Sequence, residues 1–148
     1  MFNELKKLDT IESINTWDTS NTTDIRNMFQ DTGYSATSFS IDVSNWDTSK
    51  VVYATSAFKN TGYSATTWSI GDISSWDVSS LKYMASMFLN AGYTATTFNI
   101  GNIGSWGNKT ALVENMTATF SSAGYSATTW NIGDISTWDV SSVSQMGE

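Results

Sequence analysis

Residues 76–93 read Trp76-Asp77-Val78-Ser79-Ser80-Leu81-Lys82-Tyr83-Met84-Ala85-Ser86-Met87-Phe88-Leu89-Asn90-Ala91-Gly92-Tyr93, followed by Thr94-Ala95-Thr96-Thr97-Phe98-Asn99-Ile100-Gly101-Asn102-Ile103-Gly104-Ser105-Trp106. This stretch is one copy of a phrase that recurs along the chain. Trp stands at 17, 46, 76, 106 and 138, with steps of 29, 30, 30 and 32. The pair Gly-Tyr begins at 33, 62, 92 and 124, with steps of 29, 30 and 32. Phe29, Phe58, Phe88 and Phe120 keep those steps, as do Phe39, Trp68, Phe98 and Trp130. Independent markers on one uneven ruler identify an internal repeat, the first property to establish because it decides the fold.

Inside the unit, Leu81, Met84 and Phe88, with Met87 beside them, make an apolar stripe at helical spacing. Ser79 or Ser80 suits a helix N-cap, and Gly92 the left-handed position after the last turn. So short a helix persists only when its neighbours hold it. Tyr93 to Thr97 follow as an arch of small residues. A strand comes next: Phe39, Ile41 and Val43 alternate with polar residues. Later units insert Gly71, Gly101 or Gly133, and a bulge there absorbs the extra residue and restores the phase. The Gly107-Asn108-Lys109 stretch reads as an insertion at the strand-to-helix turn. These features predict an α/β, leucine-rich-repeat-like solenoid, with one short strand and one short helix in each roughly 30-residue unit. Residues 1–8, with Phe2, Leu5 and Leu8 at helical spacing, are expected to form an N-terminal cap. Residues 9–148 then hold about four and a half units, the last incomplete.

Composition narrows the chemistry. The 148-residue chain carries a net charge of −7, and 14 % of its residues are charged, against roughly 25 % in ordinary domains. Dispersed Lys and Arg argue against nucleic acid, whose binding needs basic clusters that displace counterions. No apolar run approaches the roughly 20 residues of a membrane span. The absence of His removes imidazole acid–base catalysis and imidazole metal ligation, and the absence of Cys removes thiol nucleophiles, disulfides and thiolate zinc sites. The start of the chain lacks a signal-peptide apolar stretch, so the expectation is either a different export route or an excerpt of a larger protein.

The run from Phe39 through Ile41, Asp42, Val43, Ser44, Trp46, Asp47 and Ser49 to Val51 resembles the BspA-type bacterial surface repeat, also known as the mycoplasma lipoprotein repeat. Trp76-Asp77-Val78-Ser79-Ser80-Leu81 with Met84, Met87 and Phe88 is similar to the same signature. Trp138-Asp139-Val140-Ser141-Ser142-Val143 with Met146 opens another copy. The Gly-Tyr-Ser-Ala-Thr-Thr arch and the Gly107-Asn108-Lys109 stretch depart from it. The resemblance implies a leucine-rich-repeat-like solenoid in large bacterial surface proteins associated with adhesion, with similar repeats in bacteriophage proteins. It brings no catalytic residues.

Recurring side chains invite functional readings. Asp18, Asp47, Asp77 and Asp139 follow the repeated Trp, and Asp42, Asp72 and Asp134, with Asn102, form a second ladder. Paired-carboxylate catalysis or a cation site competes here with turn and cap formation, which recurrence favours because active sites are singular. The Trp ladder is expected in the core rather than against sugars. Tyr34, Tyr63, Tyr93 and Tyr125 stay divided between core and binding: stacked at strand spacing, they make an amphipathic strip suited to recognition. The remaining acids, Glu4, Asp9, Glu12, Asp24, Asp31, Glu114 and Glu148, are scattered and build no catalytic pair. The sequence therefore points to a non-enzymatic surface repeat for adhesion, recognition or display, with no cofactor and no metal. The expected setting is a bacteriophage virion component (fibre, tail tip or capsid decoration), because the repeats begin almost at Met1 with no signal peptide; the alternatives are a bacterial cell-surface adhesin, or a purely structural spacer or filament subunit. Expected partners are a surface glycan or protein of a host cell, or neighbouring subunits.

Overall fold

A computed structural model describes residues 2–147 of the chain; Met1, in the expected cap, and Glu148, among the scattered acids, lie outside the described residues. Most of the chain is irregular backbone and tight turns. Four three-residue strands are present: β1 (Ser38–Ser40), β2 (Thr67–Ser69), β3 (Thr97–Asn99) and β4 (Thr129–Asn131). They form two two-stranded parallel sheets, β1 with β2 and β3 with β4. Phe39 pairs with Trp68 in one and Phe98 with Trp130 in the other. Three 3₁₀ segments, Ile14–Thr16, Ile103–Thr110 and Ile135–Thr137, complete the regular structure.

The predicted α/β leucine-rich-repeat-like solenoid, with a strand and a helix in every unit, is overturned. No α-helix occurs among the described residues, and the paired strands are three residues long. The reason lies in the backbone of the stretch read as a helix. Ser86 and Asn90 take φ values of 55° and 56°, in the left-handed region that a right-handed helix excludes. Asn27, Asp31, Ser56, Asn60, Ala118 and Ser122 do the same in the other units. The N–H groups of Met84, Ser86, Phe88 and Asn90 donate to the carbonyls of Asn115, Thr117, Thr119 and Ser121 at 2.8–3.0 Å. Between them, the N–H groups of Met87, Leu89 and Ala91 reach three residues back, to Met84, Ser86 and Phe88. A row of successive turns thus replaces the helix, and half of its donors bond the next repeat. The same pattern carries Ala54, Ser56, Phe58 and Asn60 onto Tyr83, Ala85, Met87 and Leu89. It also carries Phe2 and Glu4 onto Met28 and Gln30.

The core lies between these turn rows and the strands. Phe2, Phe29, Phe58, Phe88 and Phe120 stack in sequence with ring centroids 5.3–5.5 Å apart. Leu81, Met84, Met87 and Phe88, the presumed helix stripe, are all buried, so the apolar spacing marked the core correctly while the backbone took another form. The extra Gly of the longer units sits at positive φ, 83° at Gly71 and 86° at Gly101, and a Cβ at either position meets the carboxylate of Asp42 or Asp72. The inserted stretch forms the 3₁₀ segment Ile103–Thr110, broken at Gly107, whose φ of 47° and ψ of −130° are not helical.

The two backbone forms make opposite predictions at Ser86. In a helix, Ala is more favourable than Gly by about 1 kcal/mol; at a left-handed position Gly is the better by about 1–2 kcal/mol. Ser86→Gly is expected to melt above Ser86→Ala, and the reverse order in thermal denaturation contradicts the turn row.

Candidate tyrosine strip

The arch residues are set by ladder hydrogen bonds of their own. Gly62, Gly92 and Gly124 donate to Thr32, Thr61 and Ala91, and Ser64, Thr94 and Ser126 donate to the carbonyls of Tyr34, Tyr63 and Tyr93. Each arch therefore lies against the preceding one in the same conformation, and the tyrosines superpose. Ring centroids are 4.8 Å apart for Tyr34–Tyr63, 4.6 Å for Tyr63–Tyr93 and 4.8 Å for Tyr93–Tyr125, with interplanar angles of 7°, 12° and 4°. The structure thus brings all four predicted residues together. Tyr34, Tyr63 and Tyr93 are half-buried and Tyr125 is 69 % exposed. Ser35 continues the chain of arch bonds by donating to the Lys6 carbonyl, so Lys6 holds the place before Tyr34.

The stack is compact enough to shift its own chemistry. Burial, then the phenols of Tyr63 and Tyr125, push the Tyr93 hydroxyl above its ordinary value. No hydrogen-bond partner for the four phenol oxygens occurs among the described residues, and each can both donate and accept. A second tyrosine pair, which the sequence reading passed over, is already engaged. Tyr53 and Tyr83 stack at 5.4 Å, Arg26 lies 4.8 Å over the Tyr53 ring, and the Tyr83 hydroxyl donates to Glu114 at 2.9 Å. The shared repeat phase of Asp24, Tyr53, Tyr83 and Asn115 was the signal available for it.

The other recurring groups are structural. The indole N–H of Trp46, Trp76, Trp106 and Trp138 donates to the carbonyl of Ile14, Val43, Ile73 and Ile103 at 2.9–3.1 Å. Trp46, Trp76 and Trp106 are buried, whereas Trp17 is 39 % exposed. Asp18, Asp47, Asp77 and Asp139 each accept the N–H of the Ser two residues on, at 2.9–3.1 Å. Asp42, Asp72, Asn102 and Asp134 close the same kind of turn two residues on, at 2.9–3.1 Å. The hydroxyls of Ser20 and Ser49, then their backbone N–H groups, hold Asp18 and Asp47 below the ordinary carboxylate range. For Asp77 and Asp134 the backbone N–H is the larger cause. No group of three or more acidic side chains placed to hold a metal occurs among the described residues. Likewise, no helix among them is long and apolar enough to cross a membrane.

Cross-repeat hydrogen bonds, stacked aromatic rows and locally closed Asp turns define a repeat protein built from copies of one unit. The chain belongs to the family described as Mycoplasma protein of unknown function, DUF285, whose model matches residues 1–130 and again residues 61–148. The two overlapping matches are what an internal repeat produces. No curated protein and no solved structure matches the chain.

Two outcomes follow from this geometry. Trp76→Ala removes a buried ring and its hydrogen bond and is expected to cost about 3–5 kcal/mol; Tyr93→Ala, half-buried, should cost less, and equal shifts in melting temperature contradict that order. The depressed Asp groups contribute stability that is complete above the unfolded value near 3.8 and is lost as pH falls through their folded values. Thermal midpoints should therefore hold steady from pH 7 to about pH 4 and fall below it. An Asp47→Asn, Asp77→Asn double variant should show a shallower acid decline; an identical decline assigns the acid sensitivity to other groups.

Proposed function

We propose that this chain is a non-enzymatic, surface-exposed repeat protein that recognises a partner outside the cell through the row formed by Tyr34, Tyr63, Tyr93 and Tyr125. The observation that carries the reading is the stack itself: four phenols at steps of 4.6–4.8 Å, on a polar arch, with hydroxyls that no group uses among the described residues. The rings of Tyr34, Tyr63 and Tyr93 are half-buried in the stack, while no hydroxyl of the row has a protein partner among the described residues, so the same polar group is open to an external partner in every unit. Membership of a family described from a Mycoplasma protein of unknown function supports a bacterial setting over the virion component that the sequence suggested.

Recognition by such a row is multivalent. One phenol and a few hydroxyls bind weakly, and several engaged together gain about 10²–10⁴-fold through effective concentration. Binding depends little on ionic strength, because the 7 basic residues are dispersed and make no charged docking patch. A host-cell protein or a glycan coat supplies the repeated contacts that the row needs.

A cell-binding assay tests the reading. The wild type should bind whole host cells at both low and high salt, and a folded Tyr63→Ser, Tyr93→Ser double variant should lose most of that binding. Unchanged binding by the variant moves the site off the strip. Absence of binding by both proteins, with association of the wild type at rising concentration, identifies a structural subunit instead.

A further inference from the structure

We infer that the strip reads its partner edge-on, through its phenol hydroxyls, and that the partner is a linear, uncharged polysaccharide lying along the row of repeats; this rests on the recognition role proposed above. The argument begins with which atoms remain available. The rings of Tyr63 and Tyr93 are covered on both faces, by Tyr34 and Tyr93 in one case and by Tyr63 and Tyr125 in the other, at 4.6–4.8 Å and within 12° of parallel. Neither ring has a face on which a sugar can stack. What solvent meets at these two positions is ring edge ending in a hydroxyl; Tyr125, 69 % exposed, closes the row with no ring over its outer face among the described residues.

Such a line selects a ligand by period and by charge. The exposed arch residues Ser64 and Ser126 lie beside it and add hydroxyls that bond no group among the described residues, whereas the Thr94 hydroxyl is engaged with the carbonyls of Tyr63 and Ala65 at 3.1 Å. An extended peptide laid along the row repeats its same-side groups every two residues, roughly 6.6–6.8 Å, and falls out of step with a spacing of 4.6–4.8 Å. A linear neutral sugar chain carries hydroxyls on both edges of every ring, so a phenol at any point along the row finds a hydroxyl to bond without a fixed register. No charged side chain interrupts the row between Tyr34 and Tyr125, and the net charge of −7 opposes a polyanion. Lys6 stands only at the end of the row, before Tyr34.

The test separates hydroxyl from ring. Retardation by a soluble linear β-glucan is measured in native gels for the wild type, Tyr63→Phe/Tyr93→Phe and Tyr63→Ser/Tyr93→Ser, each checked for folding by its thermal melt. Hyaluronate and a denatured polypeptide serve as the charged and peptide probes. The wild type should bind the glucan, the Phe variant should bind it about tenfold more weakly for two lost hydrogen bonds, and the Ser variant should not bind. Equal binding by the Phe variant, with loss by the Ser variant, overturns the edge-on inference and leaves the strip as the site. Equal binding by the Ser variant overturns the strip itself. Wild-type binding to hyaluronate or polypeptide alone, or to none of the probes, overturns the assignment of a neutral polysaccharide.

Discussion

The backbone N–H groups of Met84, Ser86, Phe88 and Asn90 can be satisfied along the chain, by a helix, or across it, by the neighbouring repeat. They go across, and the rest of the structure depends on that choice. Donating from every second residue to a chain of like conformation fixes the register between repeats residue by residue. The intervening N–H groups then close tight turns, and Ser86 and Asn90 must enter the left-handed region. Each such residue costs about 1–2 kcal/mol. A two-turn helix offers little in exchange, because short helices are marginal in isolation.

Once the backbones are locked at that separation, like side chains are locked too. Phe lies on Phe at 5.3–5.5 Å, Trp106 on Trp138 at 5.5 Å, and Tyr on Tyr at 4.6–4.8 Å. Each is within the range at which aromatic pairs add to simple burial. The buried Trp residues do more than fill volume. Their indole N–H groups reach carbonyls 32–35 residues earlier, so the repeated Trp fastens its repeat to the one before it with a polar contact inside an apolar core. No buried side-chain nitrogen or oxygen lacks a partner among the described residues.

Much of this was legible in the chain. The period, the Phe and Trp rows and the four tyrosines followed from spacing alone, and the buried side chains Leu81, Met84, Met87 and Phe88 were correctly assigned to the core. The helix was not there to be found, because apolar residues at i, i+3 and i+7 also arise when turns follow one another. The signal against it was the recurrence of short polar residues: Asn27 with Asp31, Ser56 with Asn60, and Ser86 with Asn90. Asn27, Asp31, Asn60 and Asn90 are side chains that tolerate positive φ better than most, and each pair stands four residues apart within an apolar run. Strand length was over-read for a related reason. Phe39, Ile41 and Val43 alternate as expected, yet only Ser38–Ser40 pairs as a strand; beyond it Ile41 and Val43 bond the next repeat through Ser69 and Ile70. That the tyrosines present edges rather than faces depends on the direction of stacking, which spacing along one chain does not encode.

Copying a unit has a different consequence for charged and uncharged rows. Asp18 opposes the ionisation of Asp47, and Asp47 that of Asp77, so each further copy of the acidic position adds repulsion. Two features contain it. Every carboxylate in this row is held by its own Ser two residues on, and where the next acid is due the chain departs to Gly107-Asn108-Lys109, bringing the Lys109 ammonium to 4.0 Å from Asp77. The pair is exposed and contributes little by itself, but it replaces a repulsive neighbour with an attractive one. A neutral phenol row meets no such limit: each added Tyr finds a ring to stack on and leaves a hydroxyl free. The tyrosine position, unlike the acidic one, therefore lengthens without electrostatic cost.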